Sequence, residues 1–118
     1  MARPARVIIV DDDPRVGESL SALLVQEGLA VEVAPSAEGA LALCARQHYD
    51  AALVGMRLTD VAGIDLLRAL RRADPALRAI VITAQGGGSL ARRAMAEGAE
   101  AVLQRPLEVT PFLPLLLV

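Results

Sequence analysis

Four short aliphatic runs, separated by helix-forming sequence, constrain the fold of this chain more than any other feature. Val7-Ile8-Ile9-Val10 ends in three carboxylates, Asp11, Asp12 and Asp13. Ala51 to Val54 ends at Gly55, Ala79 to Ile82 ends at Thr83, and Ala101 to Leu103 leads into Gln104-Arg105-Pro106. Runs this short, apolar throughout and then cut off, read as strands buried on both faces that deliver side chains to one edge of a parallel sheet. That edge is where an α/β protein does its chemistry. At the end of the second run Gly55 brings no side chain to it.

Helical signals fill the intervals. Asp13 and Pro14 form a helix start, acid as N-cap and proline in the first turn. Val16, Leu20, Leu23, Leu24 and Glu27 follow at helical spacing, and Gly28 ends the helix. Val31 and Val33 give a short strand. Ser36 caps a second helix with the stripe Ala37, Ala40, Leu41 and Cys44. A loop from Gly55 to Gly63 leads to a third helix with Ile64, Leu67 and Leu70 on one face, stopped by Asp74-Pro75. After Gly86-Gly87-Gly88, Ser89 caps a fourth helix with Leu90, Ala94 and Met95 inward, and Gly98 closes it. Strand and helix alternate throughout, which implies a parallel sheet covered on both faces and joined by right-handed crossovers. In the last segment, Leu107 to Val118, Thr110-Pro111 marks a further helix start and Pro114 limits its length.

Composition narrows the function classes. The 118 residues make one domain, 1–118, with an aliphatic core: hydrophobic residues are 54% but aromatics only 2%. With Tyr49 and Phe112 as the only aromatics and a net charge of −2, the chain has neither base-stacking platforms nor electrostatic pull towards nucleic acid. Cys44, the lone cysteine, reads as a buried small hydrophobe and excludes an internal disulfide. No run approaches the ~20 apolar residues of a membrane span. The short, basic Met1–Arg6 stretch with Pro4 does not read as a signal peptide. Cytoplasmic location is the expectation.

The stretches Val7–Pro14, Tyr49–Gly63, Ala79–Gln85 and Ala91–Pro106 together resemble the receiver domain of two-component response regulators. The resemblance implies a flavodoxin-like three-layer αβα sandwich, with a five-stranded parallel sheet in order 2-1-3-4-5 and a fifth helix after the last strand. In that family an aspartate ending the third strand accepts a phosphoryl group, acids after the first strand hold Mg²⁺, and a hydroxyl residue and a lysine clamp the product. An aromatic residue three before the lysine reports occupancy.

Residue by residue, the resemblance assigns the acid pair to Asp11 and Asp12, with Asp12 the more direct metal ligand, and the hydroxyl position to Thr83. The phosphoacceptor position is Gly55, the lysine position Arg105, the aromatic switch position Val102, and the usual proline after the acceptor Thr59. Arginine keeps the charge but is a planar fork rather than a mobile point charge. A family-type phosphorylation at Gly55 is chemically excluded. Mg²⁺ binding should be weak, because this ion wants several oxygen ligands.

The expectation is therefore an atypical, phosphorylation-independent, non-enzymatic receiver: a protein-interaction module in bacterial signalling, needing no cofactor. Its partner would be a kinase, regulator or output domain, or a second copy. The interaction face would run over the fourth helix, last strand and final helix, through Leu90, Arg93, Val102 and Leu113. Two alternatives stay open: a phosphoryl-accepting switch using a neighbouring carboxylate (Asp11, Asp12 or Asp60), and a small-ligand binder in the vacated pocket. Asp13 and Asp50 read as a helix cap and a strand start, and Arg105 as a candidate bidentate partner of Asp11 or Asp12. The three glycines read as a hinge, and Arg68, Arg71, Arg72, Arg92 and Arg93 as solvated helix faces.

Overall fold

The computed structural model describes residues 5–55, 63–83 and 88–104. Its elements alternate as the aliphatic runs require: β1 (Arg6–Val10), α1 (Pro14–Gln26), β2 (Ala30–Ala34), α2 (Ala37–Arg46), β3 (Ala51–Gly55), α3 (Gly63–Ala73), β4 (Arg78–Thr83), α4 (Gly88–Ala96) and β5 (Ala101–Gln104). The strands form one sheet in the order β2-β1-β3-β4-β5, and every pair is parallel. This is the doubly wound arrangement the sequence implies. The expected final helix lies outside the described residues.

The continuous apolar runs are explained by burial on both sides. Val7 to Val10 and Ala51 to Val54 are fully buried. Alternate residues point to opposite faces, so Val7, Ile9, Leu53, Ile80 and Ile82 pack with Leu20 and Leu24 of α1. On the other face Ile8, Val10, Ala52 and Val54 meet Ala37 and Ala40 of α2 and Leu66 and Leu70 of α3. Ile64, Leu67, Ala79, Val81, Ala94 and Ala99 continue that layer under α3 and α4. Each buried Leu or Ile contributes on the order of 1.5–3 kcal/mol, so aliphatic side chains carry the core, with Tyr49 as its aromatic member.

The helix starts follow local chemistry. The Asp13 carboxylate accepts from the Arg15 N–H at 3.0 Å, with Pro14 opening α1. Ser36 Oγ accepts from the Gly39 N–H at 3.1 Å. Gly28 and Gly98, with φ of +88° and +101°, reverse the chain after α1 and α4.

Several expectations are corrected. Met95, expected inward, is 50% exposed, and Leu23 and Leu41, read as members of the apolar repeats of α1 and α2, are exposed as well. Gly17, Leu20 and Leu24 define the centre of the α1 stripe and Leu23 lies on its flank, while among the side chains described in α4 it is Ala94 that is fully buried. Ser89 does not cap α4, because the helix already includes Gly88. Cys44 is half-buried, packed against the α2–α3 core.

Candidate functional site

At the carboxyl edge of the sheet, Asp11 follows β1 directly and is only 4% exposed. Its N–H donates to Ala34 O at 3.2 Å, extending the β1–β2 ladder by one bond. Its Oδ1 accepts from the Asp13 N–H at 2.9 Å, the local side-chain turn that swings the chain into α1. Its Oδ2 faces Gly55: a Cβ built on Gly55 would stand 3.0 Å from Oδ2 and 3.3 Å from Val10 O.

Gly55 is the last residue of β3 and is buried, paired in register with Ile82. Its backbone is not in the left-handed region, so no turn geometry demands glycine there. What glycine contributes is the missing side chain. Asp12 is exposed beside Asp11. Thr83 ends β4, opposite Gln104. The topology therefore gathers Asp11, Asp12, Gly55 and Thr83 at one sheet edge. Arg105, Thr59 and Asp60 lie outside the described residues.

Val102, which the resemblance assigns to the switch position, is half-buried and packs against the cluster formed by Ile64, Leu67, Val81 and Ala94. Arg93 is exposed on α4, which also carries Leu90; Leu113 lies outside the described residues. As a metal centre the edge fits poorly. One acid is buried and engaged in a turn, the other is exposed, and the third position is glycine. Among the described residues no group of three His, Cys, Asp or Glu side chains is placed to hold an ion.

The opposite, amino-terminal edge holds a polar network. Arg6 N–H donates to Asp50 Oδ2 at 2.8 Å, and Asp50 N–H to Arg6 O at 2.8 Å. His48 places Nε2 3.3 Å from Asp50 and Nδ1 3.4 Å from Asp74. The Tyr49 hydroxyl donates to Glu32 at 2.9 Å and accepts from Gln47 Nε2 at 2.8 Å, and Gln47 also bonds Glu32 and Arg6. Burial, then the bond to Glu32, pushes the Tyr49 phenol up to about 12. Burial, reinforced by Asp74, also raises the Cys44 thiol, which keeps it in the unreactive form. Asp50 precedes β3 and so stands roughly 16 Å from Gly55, at 3.3 Å per residue. Sequence reading identified Asp50 as a strand start but missed this network, whose only local signs are a glutamate in a short strand and a glutamine ending α2.

Residues 7–113 match the response regulator receiver domain. A response regulator receiver protein of Anaeromyxobacter sp. is 39% identical over 110 residues, 93% of this chain and 46% of that protein. The transcriptional regulatory protein FixJ of Rhizobium meliloti is 36% identical over 104 residues, 88% of this chain and 51% of that protein. The chain thus spans about half the length of these relatives. A CheY-like receiver domain of known structure from Methanospirillum hungatei superposes with a TM-score of 0.88 at 28% identity, covering 94% of this chain and 89% of that one. With the match running from Val7 almost to the end and the strand order in agreement, the chain belongs to the receiver-domain family of two-component response regulators.

Proposed function

We propose that this chain is an atypical receiver, a cytoplasmic protein-interaction module of bacterial signal transduction whose output does not pass through phosphorylation at the end of β3. The observation that carries this reading is Gly55 at the end of β3, with a backbone outside the left-handed region that would demand glycine and the Asp11 carboxylate leaning towards it. Asp50, the carboxylate on the same strand run, supports no substitution, because it belongs to the other edge and is engaged by the Arg6 backbone. Mg²⁺ binds weakly, with Asp12 and Asp11 as its only ligands among the described carboxylates. The partner, a kinase, regulator or output domain, meets the α4–β5 face and the residues beyond it, where Leu90, Arg93, Val102 and Leu113 fall.

Intact mass after incubation with acetyl phosphate and Mg²⁺, run beside Gly55→Asp, tests the reading. The expected result is an unlabelled native chain and a labelled variant. Label on the native chain overturns it, and peptide mapping then identifies which carboxylate took over.

A further inference from the structure

We propose that the groove between α1 and the free edge of β2 docks an extended segment of a partner protein that carries a cationic side chain beside small aliphatic ones. This surface is at the far end of the strand order from β5, and the inference does not depend on whether Gly55 silences phosphorylation.

The groove is written into the packing of two residues. Among the described strands β2 pairs only with β1, so its outer backbone groups form an open edge. Edge strands are commonly guarded by charge, but the one charged side chain of β2, Glu32, is drawn to Tyr49 and Gln47. On the face towards α1 stands Val33, 41% exposed. It stays open because the residue of α1 above it is Gly17: a Cβ there would come within 2.7 Å of Val33 Cγ1. Glycine lets the helix approach this closely and covers nothing. The next turn presents Ser21 and Ala22, also small, and Pro35 borders the far side.

The resulting open groove has a volume of about 750 Å³, within the range that binds small ligands and side chains. Val33, Ala22, Pro14 and Pro35 give it apolar lining, while Asp12 and Glu18 border it as exposed carboxylates and Asp11, shared with the sheet-edge site, as a buried one. Among the described residues no Lys or Arg lines it, and the nearby Arg15 is turned to Asp13 at 3.3 Å. Charge complementarity selects a cation beside Asp12 and Glu18 and small apolar side chains against Val33, Ala22 and Pro35. The adjoining strand edge favours an extended backbone, as in strand addition.

The test is an amide-resolved NMR titration of the whole chain with an acetylated peptide alternating arginine and valine, beside a control alternating glutamate and valine. The proposal expects saturable shifts at Gly17, Glu18, Ser21, Ala22 and Val33 with the first peptide only, weakening as salt is raised. Glu18→Lys and Ala22→Arg, both at exposed positions of α1, should leave the rest of the spectrum intact and weaken binding about fivefold or more. Three results overturn the proposal: absence of saturable shifts at those amides, an equal response to the glutamate peptide, or unchanged binding by Glu18→Lys. Failure here leaves the acetyl phosphate experiment untouched, so the two readings fall separately.

Discussion

The Asp11 Oδ2 oxygen lies 3.0 Å from the point where a side chain on Gly55 would begin. Asp11, which the resemblance assigns to the metal-binding acids, therefore leans into the space that a side chain on Gly55 would occupy. Its other oxygen holds the Asp13 N–H and so shapes the entry into α1. Asp11 thus has a structural role that does not depend on phosphoryl chemistry.

Substitutions at Gly55 should separate space from charge. Gly55→Ala should remain within about 1 kcal/mol of the native chain, since the entropy gained by removing glycine offsets the displacement of Asp11. Gly55→Asp should cost about 2 kcal/mol, because two carboxylates then share a buried corner. Adding Asp11→Asn keeps an oxygen for the Asp13 N–H, removes one charge and should recover part of that loss. Urea unfolding of the native chain, Gly55→Asp, Asp11→Asn and the double variant gives the coupling, with Gly55→Ala as the control for size; a Gly55→Asp variant as stable as Gly55→Ala would contradict it.

Tyr49 offers a direct probe of the opposite edge, because it is the only tyrosine and there is no tryptophan. Absorbance titration should show no tyrosinate in the folded chain until pH approaches about 12. The folded phenol has the higher pKa, so its contribution to stability is fully present below the ordinary tyrosine value and is lost as pH rises from about 10 towards about 12. Tyr49→Phe removes the bonds to Glu32 and Gln47 and should cost about 1–2 kcal/mol in chemical denaturation.

Those two edges differ in how far they could be read from sequence. The carboxyl edge was legible because its markers are local: an aliphatic run followed at once by Asp11 and Asp12, or by Gly55, and the Asp13-Pro14 cap. The amino edge joins Arg6, Glu32, Gln47, Tyr49 and Asp50 through bonds that span up to 44 residues, from Arg6 to Asp50, and no periodicity connects them. Helix faces were legible to within one neighbour. Leu23 and Met95 fit an apolar repeat yet are exposed, because α4 meets the sheet through Ala94 and α1 through the Gly17–Leu24 line. The groove was illegible for a similar reason, since it arises from a glycine on one element and a valine on another.

Two glycines that both end helices should respond differently to alanine. At Gly28 a Cβ meets open space, so Gly28→Ala pays only for the left-handed backbone, about 1 kcal/mol. At Gly98 the same atom would come within 3.0 Å of Arg71 Nε, and Arg71 is itself fastened to Leu77 O at 2.6 Å. Gly98→Ala should therefore lose about 2 kcal/mol or more. Equal midpoints for the two variants would remove Arg71 from the account.

Arg68 of α3 grips Glu97, just beyond α4, through two bonds of 3.0 and 2.8 Å. Both groups are solvated, so Arg68→Ala should lower the melting temperature slightly in dilute buffer and not at all in molar salt. The bond to Arg68 holds the Glu97 carboxyl below its ordinary value. Its contribution is accordingly present above the unfolded carboxylate pKa and fades as pH falls through the lowered one. A salt-independent effect of Arg68→Ala would show that packing, not charge, joins the two helices.

The unbroken pairing of β3 through Gly55 has an evolutionary meaning. Backbone ladders do not consult side chains, and Gly55 stays in register with Ile82 as any residue would. The covalent output of such a domain is therefore one side chain deep, while its surfaces are as deep as the fold. A duplicated copy can surrender the first in a single mutational step and keep the second whole, so the receiver scaffold is a ready source of adaptors released from upstream command.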